Sequence, residues 1–168
     1  EQNRADQKRY PAVNPIDSYS KYLDYPEIAE YLNSTVEEGW VEKIHTAKNI
    51  VRRGREAADQ INILGDDGVP MSYHETFWKA ELVDFAFLQQ DAFDKVDSLC
   101  PISRQKFMLD LILDICGRQF TFDGYEQCRD YFKNVINILR QMNYSEFDSS
   151  SFNSYKSELE GLLNQAAA

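Results

Sequence analysis

The 168 residues include only 7 Gly and 5 Pro, where average usage would give about 20 together. Residues that end helices are therefore scarce. No segment alternates apolar and polar residues in steps of two, as a half-buried strand does, and no repeat of solenoid length stands out. Apolar side chains instead recur in steps of three and four. From Ser34, which with Glu37 has capping-box spacing, a long helix is expected to about Leu64. Its inward stripe is Trp40, Ile44, Ala47, Val51, Gly54, Ala58 and Ile61, and the small members let a partner helix approach closely. Gly65 to Pro70 makes a tight acidic turn containing Asp66 and Asp67, so an antiparallel hairpin follows. Ser72 and Glu75 repeat the capping spacing ahead of a helix running through Phe77, Ala80, Val83 and Phe87 to about Gln90. Further helices are predicted over Gln105 to Gly117, along the stripe Cys128, Phe132, Val135, Leu139 and Met142, and along Phe152, Tyr155, Leu159 and Leu162.

The start of the chain reads differently. Pro11, Pro15 and Pro26 stand too close together for a helix, while Tyr10, Tyr19, Tyr22 and Tyr25 are too aromatic for a free tail. The expectation is an all-α bundle of about five helices with an extended N-terminal arm, divided as arm 1–33 and helical domain 34–168. The arm is expected to lie on the bundle or on sequence upstream of Glu1.

Charge narrows the function. Lys and Arg number 18 against 28 Asp and Glu, a net charge of −10 that repels phosphate backbones and anionic lipid. Nucleic acid and direct membrane insertion are not expected as partners. The basic residues Lys43, Lys48, Arg52, Arg53 and Arg55 fit a solvated helix face paired with nearby Glu. No apolar run approaches the ~18 residues of a membrane span, and no basic-then-apolar leader opens the chain, so a cytoplasmic location is expected. Cys100, Cys116 and Cys128 lack any CxxC spacing and are expected to be buried free thiols.

A search for catalytic patterns returns absences. There is no glycine-rich phosphate loop, no HExxH and no Gly-x-Ser-x-Gly elbow. Only His45, with Glu42 three positions earlier, has Glu-x-x-His spacing, so the two such motifs that a bundle metal site needs on facing helices are not both present. By these residues alone the chain is a non-catalytic helical module. A small-residue stripe docking a partner helix would make it a stand-alone interaction module.

Two stretches point further: RYPAVNPIDSYSKYLDYPE at Arg9 to Glu27, and FLQQDAFDKVDSLC at Phe87 to Cys100, followed by QKFMLDLIL at Gln105 to Leu113. Together they resemble the catalytic A subunit of the vacuolar and archaeal-type rotary ATPases. YPAVNPIDSYS is also similar to the F-type beta-subunit phrase YPAVDPLDSTS, whereas the F-type relatives carry a shorter form of the FLQQ phrase. The resemblance covers the arm and first three helices, and implies the C-terminal end of that subunit. It implies that Tyr10, before the Pro-Ala dipeptide, packs on one face of adenine and that Phe93 bounds the same base pocket. Two such rings supply about 2 to 6 kcal/mol by stacking, millimolar affinity or weaker over most of that range. Affinity for ATP or ADP with Mg then comes from a glycine-rich loop, an acidic metal ligand and a catalytic Glu upstream of Glu1. The 168 residues alone are expected neither to hydrolyse ATP nor to bind it measurably.

The resemblance also implies partners: the upstream core of the same subunit, non-catalytic B subunits in an alternating ring, and the central stalk, at the cytoplasmic face of a membrane. It places Asp66 and Asp67 at the tip touching the rotating shaft. Read without it, Asp-Asp-Gly is an ordinary soluble turn, and both readings stand. VPMSYHETF follows that turn where the family more often has a charged run.

Overall fold

The computed structural model describes residue 23, residues 25–89, residue 91 and residues 93–166. Among them are six α-helices and no strand: α1 Pro26–Thr35, α2 Trp40–Leu64, α3 Met71–Val83, α4 Ile102–Gly117, α5 Tyr125–Tyr144 and α6 Ser150–Ala166. The all-α expectation holds, with one helix more than the five foreseen.

That helix is α1. It occupies residues 26–33, expected as extended arm, because Pro26 stands in its first turn, where a missing N–H and a fixed φ cost nothing. The arm before residue 23 lies outside the described residues. Ser34 caps nothing downstream, since its hydroxyl donates to the Tyr31 carbonyl at 2.9 Å. The start of α2 is satisfied from the preceding helix instead. Asn33 Oδ1 accepts the Val41 amide at 3.1 Å, and Gly39 takes the left-handed turn, φ 79°, that brings Asn33 there. No side chain caps α3, which starts after Pro70.

The α2–α3 hairpin packs through small residues. Ala47, Gly54 and Ala57 of α2 are buried, and Gly54 faces Ala80 of α3. The stripe that could have received a foreign helix is thus filled from within the chain. Ala57 takes the buried place expected of Ala58, since a straight helix drifts off a strict seven-residue repeat.

The centre of the molecule is α5, whose Cys128, Phe132, Val135, Leu139 and Met142 are fully buried as the spacing predicts. Around them pack Leu109, Ile112 and Ile115 of α4, Leu82 and Val83 of α3, and Phe152, Leu159 and Leu163 of α6. Phe120, Phe122, Tyr131 and Phe132 form one aromatic group, and Phe107, Phe147 and Phe152 another. None of the described helices is long and apolar enough to cross a membrane.

Candidate functional site

After Val83 the helix widens into a π-helical turn, Asp84–Leu88, which closes with the Gln89 amide donating to the Asp84 carbonyl at 2.8 Å. Asp84 is buried there, not on a solvated helix side as its polar type suggests. In the connection to α4, aspartate side chains hold the backbone of the described residues. Asp91 Oδ1 accepts the Phe93 amide at 2.9 Å, Asp94 Oδ1 accepts the amides of Val96 and Asp97 at 2.9 Å, and Asp97 Oδ2 accepts the Asp91 amide. Asp97 is itself buried. Burial pushes its carboxyl pKa upward, while the Asp91 amide and the Arg104 charge oppose the shift.

The same segment is fastened to the bundle. Arg104, 1% exposed in the first turn of α4, donates to the carbonyls of Val96 at 3.3 Å, Met142 at 3.2 Å and Asn143. Asn143 in turn donates Nδ2–H to the Ala86 carbonyl inside the π-turn at 2.8 Å, and Gln105 donates to the Cys100 carbonyl at 3.1 Å. From this braced loop the Phe93 ring stands 99% exposed. Leu99 and Ile102, six and nine positions further along, are also exposed. A held backbone with an uncovered aromatic ring offers a flat apolar face, the surface a planar heterocycle stacks on.

At the other end of the hairpin, Gly65 leaves α2 with φ 80° and Asp66–Gly68 forms one 3₁₀ turn. Asp66 and Asp67 point their carboxylates into solvent, as do the apolar side chains of Ile63 and Leu64. The turn is anchored by its backbone: buried His74 donates Nε2–H to the Asp66 carbonyl at 2.9 Å and stacks on Tyr125 at 5.5 Å. Asp66 and Asp67 are not gathered with Phe93. The 13-residue α3, about 20 Å of helix at 1.5 Å per residue, separates the turn from the π-turn that leads to Phe93. Tyr10 lies outside the described residues.

Sequence reasoning missed Arg104, Asn143 and the aspartate set. The Asp91, Asp94, Asp97 spacing was the available signal for the last. Expected pairing on the basic helix is found for Arg52 with Glu56 at 3.0 Å and for Lys43 with Asp110 at 2.6 Å and Glu37 at 3.2 Å. Among the described residues no cluster of His, Cys, Asp or Glu could hold a metal ion.

Residues 29–121 match the family described as the C-terminal domain of V and A type ATP synthase. This chain belongs to that family. The matched span contains both the hairpin and the loop bearing Phe93. A V-type ATP synthase alpha chain of Protochlamydia amoebophila is 35% identical over 162 residues, 96% of this chain and 27% of that protein. Alpha chains of Chlamydia abortus and Chlamydia trachomatis are each 37% identical, over 160 and 149 residues, covering 95% and 89% of this chain and 26% and 25% of theirs. The sequence thus corresponds to the C-terminal part of the alpha, or A, subunit, and spans about a quarter of the length of these V-type relatives.

Proposed function

We propose that this chain supplies one wall of the adenine site in the alpha subunit of a V/A-type rotary ATPase and carries closure of that site to the central shaft. The observation that supports it most is the bare Phe93 ring on a loop held by Asp91, Asp94, Asp97 and Arg104. Burying a Phe side chain is worth about 1.5 to 3 kcal/mol, so a braced loop that leaves its ring in solvent favours a later partner. Adenine suits that ring, with Tyr10 of the arm as the second wall. Phosphate and Mg would be held by the upstream core.

The mechanical half of the proposal rests on the hairpin. The 25-residue α2, about 38 Å long, is packed along α3, and its turn is tied down by His74, so movement at the Phe93 end is carried to Asp66 and Asp67 without bending. The upstream core, the B subunits and the stalk are the partners in this scheme, at the cytoplasmic face of the membrane. A stand-alone interaction module is the weaker reading, since its stripe is occupied by Ala80.

The test is substitution in the assembled complex. Stacking worth about 1 to 3 kcal/mol corresponds to roughly 5- to 150-fold in affinity. Phe93→Ala is therefore expected to raise the KM for ATP within that range and to change kcat far less, with Phe93→Trp near the parent value. An unchanged KM in Phe93→Ala refutes the assignment.

A further inference from the structure

The loop that carries Phe93 is pinned at both ends to one place, the C-terminal end of α5. At its start, the Ala86 carbonyl of the π-turn receives Asn143 Nδ2–H at 2.8 Å. At its far side, the Val96 carbonyl receives Arg104, whose guanidinium also donates to the Met142 and Asn143 carbonyls. The last carbonyls of a helix have no intrahelical donor, and a guanidinium satisfies several of them with one rigid planar group. Arg104 is 1% exposed, with an acid, Asp97, buried beside its loop. A charge so buried is costly to leave without partners, so the arrangement has one well-defined geometry. The brace joins residues inside the family-matched span, 29–121, to a helix outside it.

We propose that Arg104 and Asn143 are positioning residues for the base site: they fix where the Phe93 ring stands, so that α5 sets the affinity for the nucleotide base through the loop. This rests on the reading of Phe93 as an adenine wall. Neither residue touches the base in this scheme. Their effect runs through the loop backbone, and it disappears once the ring is gone.

The experiment uses the assembled ATPase carrying Arg104→Lys or Asn143→Ala, each alone and combined with Phe93→Ala. Lys keeps the charge but loses the fork of donors, and Asn143→Ala removes one bond at a half-buried side chain, so one variant survives if the other does not assemble. Each single variant is expected to raise the KM for ATP about 3- to 10-fold with kcat within about twofold, and to add less than about twofold in the Phe93→Ala background. Hydrogen exchange at the amides of Phe93, Val96 and Asp97 is expected to quicken at least about tenfold, with the α2–α3 hairpin unchanged. If Phe93→Ala raises KM but the brace variants do nothing, or add fully to it, the positioning role is wrong while the adenine wall stands. If Phe93→Ala itself leaves KM unchanged, the adenine wall is wrong and this inference falls with it. Unaltered exchange in the loop overturns the brace independently of any nucleotide.

Discussion

Gly54 of α2 faces Ala80 of α3 so closely that a methyl group at position 54 would overlap the Ala80 Cβ, with the Thr76 carbonyl a further 3.4 Å neighbour. Gly54→Ala improves helix propensity by up to about 1 kcal/mol, but overpacking a tight contact costs about 1 to 3 kcal/mol, and the clash is expected to win. Urea unfolding of the 168-residue chain should show a lowered midpoint at unchanged slope. Adding Ala80→Gly should recover part of the loss. A stabilised Gly54→Ala variant would mean that the helices sit further apart.

The three thiols should separate by reactivity. Burial pushes Cys116 and Cys128 each up to about 12, and raises Cys100 as well. With a pKa near 12, only about one part in ten thousand is thiolate at pH 8. Cys128 is fully buried, whereas Cys100 is partly exposed in the loop. A disulfide reagent at pH 8 is expected to titrate Cys100 first in the native chain and all three in denaturant. Prompt reaction of Cys128 without unfolding would contradict its place in the core.

Asp97 gives a pH dependence of definite sign. Its folded pKa lies above the ordinary 3.8, chiefly through burial, so the native state holds this proton more tightly than the unfolded chain. That contribution is present at low pH and is lost as pH rises from about 4 through the raised value. Relative to Asp97→Asn, which cannot ionise, the parent should lose stability across that window and then level off. Denaturant melts of both proteins over a pH series measure the difference, and one that grows in the parent's favour with rising pH would reverse the sign.

The solvent-facing carboxylates of Asp66 and Asp67 can be reversed without disturbing the turn, because His74 binds the Asp66 main chain and not its side chain. Asp66→Lys with Asp67→Lys should leave helicity and thermal midpoint nearly unchanged. In the assembled complex the pair is expected to slow coupled rotation severalfold. Unchanged torque and turnover would refute the proposed shaft contact and leave an ordinary turn.

Much of the fold was legible because helix periodicity is a local signal: the α5 stripe from Cys128 to Met142 is buried residue for residue. Misreadings fell where a local rule met a neighbour. Pro26 breaks helices in an interior but opens α1, and the capping duty expected of Ser34 is done by Asn33. Phe93 was singled out only by resemblance, and its exposure was not legible, since a lone aromatic in a connection has no signature of its own. Its brace was not legible, as Arg104 and Met142 are 38 positions apart and only folding brings them together.

The proposed adenine wall can be tested directly with a photoactivated azidoadenine analogue of ATP on the assembled ATPase, followed by peptide mapping of the alpha subunit. Label is expected on the peptides containing Phe93 and Tyr10 and is expected to be suppressed by excess ADP. Label confined to other peptides, with none on either of these two, would contradict the adenine assignment.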